Sequence, residues 1–79
     1  MTLNGMIELI AACVNVEYDA NDFDTLEDLI YCYYIDAELF TEEELRLLTN
    51  INGYNIETLN DALFARYGYR DLEQMMEEV

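Results

Sequence analysis

Carboxylates are the one chemically versatile side chain that this sequence holds in number. It has 18 Asp and Glu against 3 Arg, no Lys and no His, for a net charge of −15 over 79 residues. The acids fall in two main groups: Asp19, Asp22, Asp24, Glu27 and Asp28, then Asp36, Glu38, Glu42, Glu43 and Glu44. Paired carboxylates can move protons or hold a divalent cation. A calcium loop needs oxygen ligands at its first, third and fifth positions, Gly at the sixth and Glu at the twelfth. Counted from Asp19, the last three of those places hold Phe23, Asp24 and Ile30, and the pattern fails. Cys13 and Cys32 have no histidine to act as base, which removes the usual thiol nucleophile. In apolar company they are expected as buried free thiols. The sequence thus offers no catalytic, metal-binding or cofactor-binding constellation. What it offers is charge.

Ordinary soluble domains mix both signs on their surface. A surface of one sign weakens the compact state by self-repulsion, so a small domain that keeps one is expected to use it on a basic partner. Three arginines are too few for the basic footprint of a nucleic-acid binder, and direct nucleic-acid binding is not expected. A chain of this length has a radius of gyration near 12 Å, roughly 30 Å across. Duplex DNA of that length carries about 18 phosphate charges, at one per 1.7 Å. The acids of this chain match that total, and a Lys- and Arg-lined groove built for nucleic acid would attract them.

The elements that position the acids are legible from periodicity. Thr2 is placed to cap a first helix reaching about Val14, with Leu3, Met6, Ile7, Ile10 and Val14 at three- and four-residue spacing. Asn15 to Phe23 breaks the period and reads as a loop. Asp24 or Thr25 starts a second helix running at least to Ile35, where Thr25 and Asp28 resemble a capping box. At about 100° per residue, Leu26, Leu29, Ile30, Tyr33, Ala37 and Phe40 share its inner face. Glu27, Tyr31 and Glu38 fall opposite, with Ile35 beside them.

Thr41 and Glu44 form a capping box for a short third helix through Leu45, Leu47 and Leu48, closed by Asn50 to Tyr54. Asn55 caps a fourth helix, Ile56 to Tyr67, with Ile56, Leu59, Leu63, Phe64 and Tyr67 inward and Gly68 ending it. Asp71 caps a last helix with Leu72, Met75 and Met76 inward. With no proline and no strand alternation, the expected fold is all-α, a compact bundle of four to five short helices in one domain, 1–79. No apolar run approaches the roughly 18 residues that span a bilayer. The N-terminus lacks the positive region of a signal peptide, so a cytoplasmic protein without a membrane partner is expected.

The expected contact surface lies on the second and third helices. Asp22, Asp24, Glu27, Asp28, Asp36, Glu38, Glu42, Glu43 and Glu44 supply its charge, with Tyr31 and Ile35 as central contacts. Of the seven tyrosines, Tyr33 and Tyr67 are expected in the core, while Tyr31, Tyr34, Tyr54 and Tyr69 are expected to be exposed.

In total charge, size and lack of an active site, the whole chain resembles the small acidic inhibitors that phages and mobile elements direct against bacterial defence. These include DNA-mimic anti-restriction and anti-CRISPR proteins. The resemblance is one of type and rests on no aligned motif; it implies a nuclease, CRISPR effector or other basic nucleic-acid-binding protein as partner. Acyl carrier proteins have similar length and charge but attach their prosthetic group at Asp-Ser-Leu. Here Asp24-Thr25-Leu26 stands in that place, and the chain has no serine. Colicin-type immunity proteins carry a Tyr-Tyr pair to which Tyr33-Tyr34 is similar, but here the pair lies inside a helix and its neighbours do not match. The alternative function is a helical interaction module (adaptor, antidote or homodimer) that binds through an apolar face.

Overall fold

The computed structural model describes residues 2–78. It has five helices: α1 Leu3–Val14, α2 Leu26–Asp36, α3 Glu42–Asn52, α4 Ile56–Tyr67 and α5 Leu72–Glu77, with a single 3-10 turn, Ala20–Asp22, before α2. The all-α expectation holds. α1 packs against α5 and α2, and α4 packs against both α2 and α3. Its extents are 32 × 27 × 20 Å and its radius of gyration is 11.7 Å.

Each helix starts on a side-chain cap that satisfies an otherwise orphaned backbone donor. The caps are Thr2, Thr25, Thr41, Asn55 and Asp71. Only Thr41 forms a reciprocal box: its Oγ1 accepts from the Glu44 amide (3.1 Å) and its own amide donates to Glu44 Oε1 (3.0 Å). Thr25 accepts from the Asp28 amide at 3.2 Å, but the Asp28 carboxylate accepts a hydrogen bond from Tyr54 instead of reaching back. α1 ends on Asn15 at φ 63° and α4 on Gly68 at φ 81°. Gly68 adopts the left-handed backbone without a Cβ penalty.

The core is Met6 and Ile10 of α1, Leu29, Ile30, Tyr33 and Tyr34 of α2, Phe40, Leu45, Leu59, Leu63, and Leu72, Met75 and Met76 of α5. Tyr34 is fully buried, where an exposed contact residue was expected. It stands four residues from Ile30, and because α2 touches both α1 and α4 its buried arc widens to include it. Its hydroxyl donates to the Leu59 carbonyl at 3.1 Å. Thr58, the buried polar residue of the core, donates to Asn52 O and so ties the end of α3 to the start of α4.

Three further expectations are corrected. α2 stops at Asp36, so Ala37 and Phe40 do not continue its stripe. Glu38 takes a left-handed conformation (φ 59°), and the amides of Leu39 and Phe40 both turn back to the Tyr34 carbonyl. This reversal lets the Phe40 ring meet Tyr34 at 5.2 Å. α3 ends at Asn52, inside the Asn50 to Tyr54 stretch expected to close it, and leaves Leu47 61% exposed. On α4, Leu59 and Leu63 fill the inward arc, and Phe64, about 140° round from Leu59, is 63% exposed. Tyr67 is 40% exposed too, although its ring packs edge-on to Phe40 and its hydroxyl donates to Leu39 O at 2.8 Å.

Candidate acidic interface

All 18 acids lie outside the buried core. All three arginines are already engaged: Arg46 with Glu42 (3.2 Å), Arg66 with Glu44, and Arg70 with Asp71 (3.3 Å). The carboxylates left without a cation among the described residues equal the net charge of −15.

The expected contact residues separate into three sets. The first surrounds the start of α2. Asp22 in the 3-10 turn and Asp24 in the following loop are exposed, and Glu27 and Asp28 of the first helical turn are half-buried. Tyr54, from the α3–α4 connection, lays its ring 5.7 Å from Tyr31 and donates its hydroxyl to Asp28. Burial, together with that bond, pushes the Tyr54 hydroxyl well above the ordinary tyrosine range. Glu27, Asp28, Tyr31 and Tyr54 thus form one patch, an acidic rim on a pair of aromatic rings. Tyr54 joins residues 26 positions away in sequence, a pairing that no local spacing reveals.

The second set lies at the end of α2. Asp36 is exposed and accepts from the Tyr18 hydroxyl (2.8 Å) and from Cys32 Sγ (3.5 Å). Burial first, then this bond, raises both the Tyr18 hydroxyl and the Cys32 thiol, which favours the protonated thiol over the thiolate. Cys13 was expected to be buried, but it lies exposed in the last turn of α1, where Ala11 and Val14 keep partial cover. Both thiols are free.

The third set opens α3, and here the all-acidic expectation is revised. Ile35, Glu38 and Glu44 meet around a depression of about 450 Å³, but Arg66 and Tyr67 share it. Arg66 is fixed by Glu44, by the Leu39 carbonyl at 3.2 Å and by the Phe40 ring 4.7 Å from its guanidinium carbon. The Arg66 hydrogen bond, with that from the Thr41 amide, holds the Glu44 carboxyl down to about 2. Glu44 is therefore a structural staple, and Glu42 is paired within its own helix. Ile35 packs partly into the core rather than standing at the centre of an outer face. Free carboxylates of the predicted surface are Asp22, Asp24, Glu27, Glu38 and Glu43, which make no side-chain bond among the described residues.

Such a surface can accept hydrogen bonds and cations. Among the described residues, no group of three or more His, Cys, Asp or Glu is placed to hold a metal ion, and no helix is long and apolar enough to cross a membrane. Fold and surface define the class as a small acidic α-helical domain. No known protein family, curated protein or solved structure matches this chain.

Proposed function

We propose that this chain is a non-enzymatic inhibitor that occupies the nucleic-acid-binding groove of a basic partner, a CRISPR effector or restriction nuclease, with its carboxylates standing in for phosphates. The observation that carries this reading is the complete internal pairing of the three arginines, which leaves a net −15 uncompensated on a body 32 Å long. Duplex DNA of that length presents about 19 phosphate charges. Asp22, Asp24, Glu27, Glu38 and Glu43 are the free acceptors, and Tyr31 and Tyr54 supply aromatic area on which Arg side chains can stack. The Tyr18–Asp36 bond ties down the loop that leads to Asp22 and Asp24, and the Tyr54–Asp28 bond holds Tyr54 beside Tyr31, which lowers the ordering cost of binding.

The test is an affinity pull-down from bacterial lysate, eluted with duplex DNA. The expected result is a nucleic-acid-binding protein that DNA displaces. Retention unaffected by DNA would retire the reading. A second reading, a helical interaction module or homodimer, is favoured by the exposure of Leu47 (61%), Ile51 (72%) and Phe64 (63%). Its signature is binding that survives high salt.

A further inference from the structure

Two cavities, of about 420 and 290 Å³, share Leu48, Ala62 and Ala65 and so form one continuous groove along the α3–α4 hairpin. Its floor is small and apolar. One end is rimmed by Asn52, Asn55, Glu57 and Asp61, and the other by Phe40 and Arg66. On α3, the exposed Leu47 and Ile51 stand within about 100° of Leu48, beside the groove rather than in its lining. On α4 the lining runs from Glu57 to Arg66, giving a groove of about 14 Å at 1.5 Å per residue. Ala62 and Ala65 let a backbone approach closely, and Leu47 and Ile51 would flank it.

We infer that this groove seats an amphipathic helix of the basic partner, with an apolar stripe on Leu48, Ala62 and Ala65 and Lys or Arg residues set against Glu57 and Asp61. The inference rests on the reading of a basic partner and names the element it presents. Charge decides the occupant. Glu57 and Asp61 have no cation among the described residues, whereas Arg66, the one cation at the groove, is already held by Glu44. A second copy of the chain would bring another −15 to the same surface and is disfavoured by like-charge repulsion. The groove extends the contact beyond the acids of α2, adding apolar burial to a surface otherwise governed by charge.

The test uses two synthetic peptides of about 15 residues with identical Lys, Arg, Leu and Ala content. One places Leu and Ala at three- and four-residue spacing; the other is scrambled so that no stripe forms. The expected result is roughly tenfold tighter binding of the striped peptide, with amide NMR shifts concentrated at Leu48, Ala62 and Ala65. Ala65→Gln and Ile51→Gln, both at exposed positions, should abolish that preference while leaving scrambled-peptide binding and helical circular dichroism unchanged. Equal affinities, no binding of either peptide, shifts confined to α2, or a dimer through this groove by light scattering would each overturn the inference. The peptides need no DNA-binding partner. A chain that prefers the stripe but is not displaced by DNA retires the mimicry and keeps the groove; the opposite pair of results does the reverse.

Discussion

Tyr34→Phe isolates one hydroxyl and separates a core role from a surface role. Tyr34 has no exposed surface, its ring lies 5.2 Å from Phe40, and its hydroxyl donates to Leu59 O at 3.1 Å. A hydrogen bond of this kind contributes about 1 kcal/mol net. The Leu59 carbonyl lies within α4, where the helix's own ladder supplies another donor, so its loss should cost no more than that. In a domain of this size, about 1 kcal/mol lowers the melting temperature by about 4–8 °C. Tyr34→Ala would instead open a cavity and cost about 3–5 kcal/mol, enough to unfold so small a core. Thermal melts by circular dichroism, with urea titration as a second measure, read both. A Tyr34→Phe protein that melts at the wild-type temperature but binds its partner more weakly would refute the buried placement.

Thr41→Ala removes the reciprocal cap of α3 and should destabilise by about 1 kcal/mol, measured by the same melts; an unchanged melt would mean the box is not formed in solution. Glu44 is held down to about 2, below the ordinary glutamate value of about 4.3, so its stabilising contribution is present above that value and is lost as pH falls toward 2. Glu44→Gln should flatten the acid limb of the stability profile over that window. Tyr18, Tyr34 and Tyr54 are all raised above the ordinary tyrosine range, so their contribution is intact below about pH 10 and fades as pH rises beyond it. Tyrosinate absorbance should then show these residues ionising late, together with loss of helix. A titration in which all seven tyrosines ionise together near their ordinary value, with helix retained, would count against the tethers.

How much of this was legible depended on whether the cause was local. Caps are local, and Thr2, Thr25, Thr41, Asn55 and Asp71 all sit where the sequence indicates. The stripes of Leu29, Ile30 and Tyr33, and of Leu72, Met75 and Met76, follow from helical period in the same way. The end of α2 was not legible, because the left-handed turn at Glu38 is set by Phe40 folding back on Tyr34. Nor was the neutralisation of Glu44, whose cation comes from 22 residues away. Tyr54 was recognisable as a candidate for exposure, but its bond to Asp28 joins two elements whose spacing only the tertiary fold defines. The acidic face was therefore visible as a total but not as a map. The structure removes Asp28, Asp36, Glu42 and Glu44 from its free acceptors and leaves Asp22, Asp24, Glu27, Glu38 and Glu43.

The most direct measurement is partner affinity across a salt series from about 0.1 to about 0.5 M, a range over which screening shortens steeply, for wild type and for Asp24→Lys, Glu27→Lys and Glu43→Lys. These positions avoid the tethered carboxylates, so the fold should be preserved in each variant. Phosphate mimicry predicts log Kd rising linearly with log salt, and a shallower slope with each reversal, as when counterions are released from DNA. An affinity indifferent to salt, and to all three reversals, would contradict it.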